Sequence, residues 1–132
     1  MTLPYFRRVA DVLPNIPVEP IQDIIRVMQD AQAHGRRIFM FGNGGSAANA
    51  SHIVNDLVKS IVHPDRPRFK VFCLADNTAL LTAYANDVSY DEVFAAPLAA
   101  LAEPGDIAFA LSGSGNSPNV LRAMETARDL GL

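Results

Sequence analysis

The chain has 132 residues, 49% of them apolar and 19% charged, which leaves room for a single core in a single domain. Eleven Lys and Arg against fourteen Asp and Glu give a net charge of −3, so there is no basic surplus to draw the chain to a nucleic-acid backbone. No apolar run approaches the eighteen or so residues of a membrane span, and the first residues lack the order of a secretory signal. The single Cys73 excludes an internal disulfide and, by itself, a cysteine-built metal site; its apolar flanks mark a buried structural thiol rather than a nucleophile. The expectation is a soluble, cytoplasmic protein that engages neither nucleic acid nor membrane.

Hydrophobic periodicity divides the chain. A first helix is predicted over about 3–13, with Phe6, Val9 and Val12 near helical spacing. Pro14-Asn15-Ile16-Pro17 breaks it. Pro20 then opens a second helix, which runs to about His34 and stops at Gly35. Its stripe of Ile21, Ile24, Ile25 and Met28 is expected to face a core. Residues 1–36 form an N-terminal helical segment and residues 37–132 the main domain.

Arg37-Ile38-Phe39-Met40-Phe41 is a short apolar run of the kind buried on both faces of a parallel sheet. A helix is predicted over 46–61, a second strand over 69–74, and helices over 78–85 and 90–101, separated by Asn86-Asp87. A third strand follows over 106–111. The last helix carries Val120, Leu121, Met124 and Ala127 on one face and ends at Gly131. Strand, loop and helix repeated in this order specify an α/β domain with a parallel sheet. Three strands leave a buried-type edge uncovered, so a longer parent chain is expected, together with oligomerisation.

Two loops carry the chemistry: Gly42-Asn43-Gly44-Gly45-Ser46 and Ser112-Gly113-Ser114-Gly115-Asn116-Ser117. Each leaves a buried strand and enters a helix, at the sheet edge where open α/β folds bind ligands. Glycines allow close backbone approach, helix N-termini offer free N–H groups, and serine hydroxyls add donors, which together suit a phosphate. Plain turn chemistry is one reading of these loops. A dinucleotide fingerprint, Gly42-x-Gly44-x-x-Ala47 with Asp76 after the next strand, is a second, and it leaves the serine loop unexplained. A phosphosugar, its phosphate on one loop and its sugar on the other, is the third and preferred reading. Neither loop is followed by the Gly-Lys-Ser/Thr of a nucleoside triphosphate site.

On the helix after the first loop, Asn49, His52 and Asp56 lie opposite the apolar side. His52 and Asp56, one turn apart, can share a divalent metal, or Asp56 can act as a general base; an exposed helix pair without function is the alternative. His34 is expected at a helix C-terminus, and His63 in a solvated loop.

Gly42-Asn43-Gly44-Gly45-Ser46-Ala47-Ala48 with His52 and Asp56, then Ala85-Asn86-Asp87, then Ser112-Gly113-Ser114-Gly115-Asn116-Ser117-Pro118-Asn119-Val120, resembles the sugar isomerase (SIS) domain family in its phosphoheptose isomerase branch. The resemblance implies a three-layer α/β/α sandwich, doubly wound in the flavodoxin-like manner, with N-terminal helices, assembled as a homotetramer. It implies a phosphorylated sugar as partner and an enzyme that converts sedoheptulose 7-phosphate to D-glycero-D-manno-heptose 7-phosphate through an enediol. Carried onto this chain, Asn43, Gly44, Gly45, Asn86 and Asp87 contact the sugar, and Ser112, Gly113, Ser114 and Ser117 hold the phosphate. His52 and Asp56 become zinc ligands, with Asp56 also moving substrate protons. Asp56 stands where better-known members carry Glu, and Gly113 where they often carry Thr. The late Gln and His that complete the family's site have no counterpart before Leu132, so this chain is expected to bind a sugar phosphate weakly and not to turn it over. A non-catalytic SIS module, binding a sugar phosphate or a protein such as a replication initiator, is the alternative.

Overall fold

The apolar run at 37–41 becomes the central strand of a parallel sheet, and the rest of the chain is organised around it. The computed structural model describes residues 2–132. Strand β1 (Arg37–Gly42) is flanked by β2 (Lys70–Cys73) and β3 (Ile107–Leu111) in the order β2-β1-β3. Both pairings are parallel; Ile38 is opposite Val71 on one side and Ile107 on the other, and Gly42 is opposite Leu111.

Successive β1 side chains point to opposite faces. Ile38 and Met40 enter one core with Ala31, Ala50, Leu57 and Val71. Phe39 and Phe41 enter a second core with Val93, Phe94, Leu98, Val120 and Ala123. The first core is roofed by α2 (Val18–His34) and α3 (Gly45–Asn55), the second by α4 (Thr78–Asp87), α5 (Ala95–Leu101) and α6 (Pro118–Leu130). The result is the expected three-layer α/β/α sandwich. The chain leaves β1 into α3 on one face and returns from β2 to β3 through α4 and α5 on the other, so the winding reverses across the β1–β3 seam.

Several expected boundaries shift. Helix α1 (Thr2–Val12) ends in a 3-10 turn at Leu13–Asn15, and α2 begins at Val18 with Pro17 as its N-cap. Pro20 sits in the first turn of α2, where a missing N–H is harmless. Gly35, at φ +65°, closes α2 as expected; its N–H reaches the carbonyls of Ala31 and Gln32. The α2 stripe is a correction: Ile21, Ile24 and Ile25 are exposed, and Met28 alone of the four packs against the sheet.

Asn86 and Asp87 do not separate a pair of helices; they form the last turn of α4, and the break falls at Val88-Ser89. Ser89 then caps a 3-10 turn at Tyr90–Glu92, accepting the Asp91 N–H at 3.1 Å, so the predicted helix 90–101 is this turn followed by α5. On α6 the buried stripe is Val120, Ala123 and Ala127; Leu121 and Met124 are exposed. Small residues face the core because α6 packs closely against α5. The helix after β1 ends in a π turn at Asp56–Ser60, where the Ile61 N–H reaches the Asp56 carbonyl at 3.0 Å.

A candidate ligand site at the seam of the sheet

Because Gly42 and Leu111 are register partners, the two loops leave the sheet side by side. They then diverge, one into α3 on the first face and one into α6 on the other. This reversal point is where doubly wound sheets open a crevice for ligands. Gly42 makes the approach possible: a Cβ there would stand 2.4 Å from the Leu111 carbonyl oxygen and 2.8 Å from Ser46 Cβ. Gly44 serves as N-cap of α3 at φ +53°, a conformation that favours glycine, and a Cβ on Gly44 or Gly45 would meet nothing within 4 Å. The Asn43 carbonyl accepts the Ser46 N–H at 3.0 Å and the Ala47 N–H at 3.4 Å, which folds the loop onto the helix start.

The second loop is two linked serine turns. Ser112 Oγ accepts the Gly115 N–H at 3.0 Å, and Ser114 Oγ accepts the Asn116 N–H at 3.1 Å. Each hydroxyl keeps its own hydrogen to donate. Ser117 is the N-cap of α6, makes no side-chain cap hydrogen bond, and precedes Pro118 at the first helical position. Gly113 is exposed with open space where a side chain would be. Serine hydroxyls, turn amides and the positive end of α6 thus converge on one rim, an arrangement suited to an oxyanion.

Two residues that sequence reasoning gave no role join the loops. Asn43 Nδ2 donates to Asn119 Oδ1 at 2.9 Å, and Asn119 Nδ2 donates back to Asn43 Oδ1 at 2.9 Å. Tyr90 Oη donates to the same Asn43 oxygen at 3.1 Å. The Asn43 amide is therefore engaged within the protein, and the glycine backbone beside it is what lies open. Asn86 and Asp87 are exposed at the end of α4, their side chains joined at 2.7 Å, just before the turn that carries Tyr90. A polar residue at a core-facing position of α6, next to Val120, was the signal that could have singled out Asn119.

His52 and Asp56 stand apart. Their side chains approach to 3.4 Å and are 75% and 48% exposed. At 1.5 Å per residue, Asp56 lies about 16 Å along α3 from Gly45 and His52 about 10 Å. One copy of the chain does not bring them to the loops. Among the described residues no group of three or more His, Cys, Asp or Glu is placed to hold a metal ion. The pair offers two donors where zinc takes four, so it is at most half of a zinc site. His34 sits in the last turn of α2, its ring against the Asp30 carbonyl oxygen at 2.9 Å, and His63 is exposed, as expected. Burial raises the Cys73 thiol above its usual range, partly offset by the Ala75 backbone, which fits a structural role. A hollow of about 300 Å³ lined by Gln29, Gln32, Ala33, Arg66 and Pro67 lies beside α2, away from both loops.

A doubly wound sheet with two glycine-serine loops at its reversal point defines an α/β ligand-binding domain. The chain belongs to the SIS domain family, whose profile matches residues 4–132. It is 45% identical over 114 residues to a phosphoheptose isomerase of Paramagnetospirillum magneticum, covering 86% of this chain and 59% of that protein. It is 52% identical over 98 residues to a phosphoheptose isomerase of Mycobacterium tuberculosis, covering 74% of this chain and 50% of that one. The solved phosphoheptose isomerase of Francisella tularensis superposes with a TM-score of 0.88 at 28% identity, over 96% of this chain and 68% of that chain. That of Neisseria gonorrhoeae gives 0.82 at 31% identity, over 95% and 65%. The chain thus spans about half to three fifths of the length of these curated relatives.

Proposed function

We propose that this chain is the sugar-phosphate-binding portion of a phosphoheptose isomerase, acting on sedoheptulose 7-phosphate and its heptose 7-phosphate isomer. The observation that carries the reading is the pairing of Gly42 with Leu111, which sets a glycine loop and a serine loop side by side. A phosphate monoester on Ser112, Ser114, Ser117 and the Gly113 backbone leaves its sugar to extend toward Gly44, Gly45 and the 86–87 turn. Curated relatives at 45–52% identity named phosphoheptose isomerase support the choice of sugar.

The chemistry of the reading is proton transfer between C1 and C2 through an enediol, which requires a base near the sugar and a donor to hold the developing negative oxygen. The Gly44 and Gly45 backbone N–H groups, at the positive end of α3, are suited to that oxygen. Asp56 is the carboxylate cast as base. Its distance along α3 from the loops is why turnover is not expected of one copy of this chain alone. His52 and Asp56 are also the residues that would hold a zinc ion; with two donors they would need others to complete it, and no step here is routed through a metal. A homo-oligomer, a tetramer by family likeness, and a cytoplasmic location complete the reading. Among the described residues no helix is long and apolar enough to cross a membrane.

The same separation of Asp56 from the loops favours a second reading, a binding module without catalysis. Titrating sedoheptulose 7-phosphate into the chain, with the product followed by NMR, tests both. Saturable binding that Ser114→Ala with Ser117→Ala weakens at least tenfold supports the sugar-phosphate site; binding unchanged by that pair of substitutions ends it. Turnover by the chain, abolished by Asp56→Ala, supports the isomerase; binding without turnover supports the module.

A further inference from the structure

Asn119 is 2% exposed, yet it carries a polar amide on the core-facing side of α6. A buried amide left unpaired is destabilising by a few kcal/mol in general, so its partners matter. Its side chain makes a reciprocal pair with Asn43, each amide donating to the other at 2.9 Å. Asn43 belongs to the glycine loop, and Asn119 begins the helix that the serine loop enters. The pair therefore crosses the seam where the two loops diverge. Tyr90 adds a third strap, its hydroxyl on Asn43 Oδ1 at 3.1 Å, from the turn that follows Asn86 and Asp87. All three segments expected to touch the ligand meet at one part-buried amide pair, with Asn119 on its buried side.

We propose that Asn119 is a positioning residue for the sugar phosphate: its amide pair with Asn43 fixes the distance between the loop that takes the phosphate and the loop that takes the sugar. The inference rests on the sugar-phosphate reading of the site and adds what sets its span. A ligand held at two points gains from the second contact only when the spacing is pre-set; the second contact then acts at high effective concentration. An amide pair suits this task because it is flat and directional, and it is satisfied only in one register. Asn43 accordingly serves through its side chain as a member of the brace, rather than as a direct sugar ligand.

The brace makes a prediction that general loss of stability does not. Each loop is closed by its own backbone and serine contacts, so inorganic phosphate, which needs only the serine loop, should be indifferent to Asn119. The experiment compares dissociation constants for sedoheptulose 7-phosphate and inorganic phosphate by calorimetry, alongside thermal melts, in the 132-residue chain and its variants. The unsubstituted chain is expected to prefer the sugar phosphate at least tenfold. Asn119→Ala should bring that preference below about threefold while phosphate binding stays within threefold of the original.

Asn119→Asp supplies a second, pH-dependent test. A charged carboxylate accepts from Asn43 but cannot donate back to its oxygen. A protonated one does both, so the preference should be lost at pH 8 and return as pH falls toward the carboxylate range near 4. The unsubstituted chain, measured at the same pH values, serves as reference. The proposal is overturned if Asn119→Ala keeps the original preference, if it weakens both ligands in equal proportion, or if Asn119→Asp shows no such recovery. If the unsubstituted chain shows no preference at all, the sugar-phosphate reading fails first, and the proposal with it.

Discussion

At Gly42 a methyl group would stand 2.4 Å from the Leu111 carbonyl oxygen, closer than real side chains come to backbone. Gly42→Ala must therefore push β1 and β3 apart at the end that bears both loops. The expected loss is about 1–3 kcal/mol of stability, read from the urea midpoint. An unchanged midpoint would show that the strands give way freely. The sequence marked this glycine as part of a loop that brings backbone close to a ligand; that its close neighbour is instead the Leu111 carbonyl follows from strand order, which periodicity does not reveal. Cys73 was legible only in part: apolar flanks suggested a buried thiol, and on the edge strand β2 it is half-buried, beside an exposed Phe72. Burial raises its thiol pKa, so at any given pH below that value less thiolate is present than in a free cysteine. Iodoacetamide at pH 8 is expected to alkylate Cys73 several-fold more slowly than in the urea-unfolded chain; equal rates would contradict the assignment.

At the scale of elements, the end of the sheet opposite the loops is pinned by Asp106. Its carboxylate accepts the Arg37 backbone N–H at 2.8 Å, the Arg37 Nε at 2.8 Å and the Glu103 N–H at 2.9 Å, and it is buried. Asp106→Ala strands those donors beneath the strands and should destabilise the chain by about 2–4 kcal/mol in denaturant melts. Asp106→Asn, which retains an acceptor, should recover some of that loss. The strands and the loops were readable because the strands are short apolar runs and βα turns need glycine, although only β1 is buried along nearly its whole length. Helix ends were less so. Asn86 and Asp87 look like a break on propensity, but polar residues are tolerated in a last turn, and Ser89 with its capping hydroxyl carries the actual boundary. On α6 Val120 and Ala127 were placed on the right face, but the bulkier Leu121 and Met124 took the place of Ala123, which faces the core because only small residues let α5 come close. Asn119 was hidden by the same choice of face.

For the whole molecule, the sandwich leaves apolar surface that its own layers do not cover. Phe6, Val9, Val12 and Leu13 of the first helical segment are exposed, as are Ile21, Ile24 and Ile25 of α2. These residues recur at helical spacing, so they form stripes rather than scattered positions, and stripes of this kind mark contact surfaces. Strand β3 is only half-buried along its length. The sequence placed the α2 stripe against a core within one copy, and three of its four residues are exposed instead; period alone does not distinguish an internal core from an interface. A second copy would supply a surface of matching chemistry, which the oligomer proposed above requires. Sedimentation velocity of the 132-residue chain at micromolar concentration should therefore give a mass above the monomer. Phe6→Glu with Ile24→Glu places two charges on the stripes and should weaken association at least tenfold while leaving the far-ultraviolet circular dichroism unchanged. A monomer in the unsubstituted chain at these concentrations would mean that the exposed stripes are not a self-association surface. Association that survives both glutamates would place the contact elsewhere, with the half-buried β3 edge the next surface to substitute.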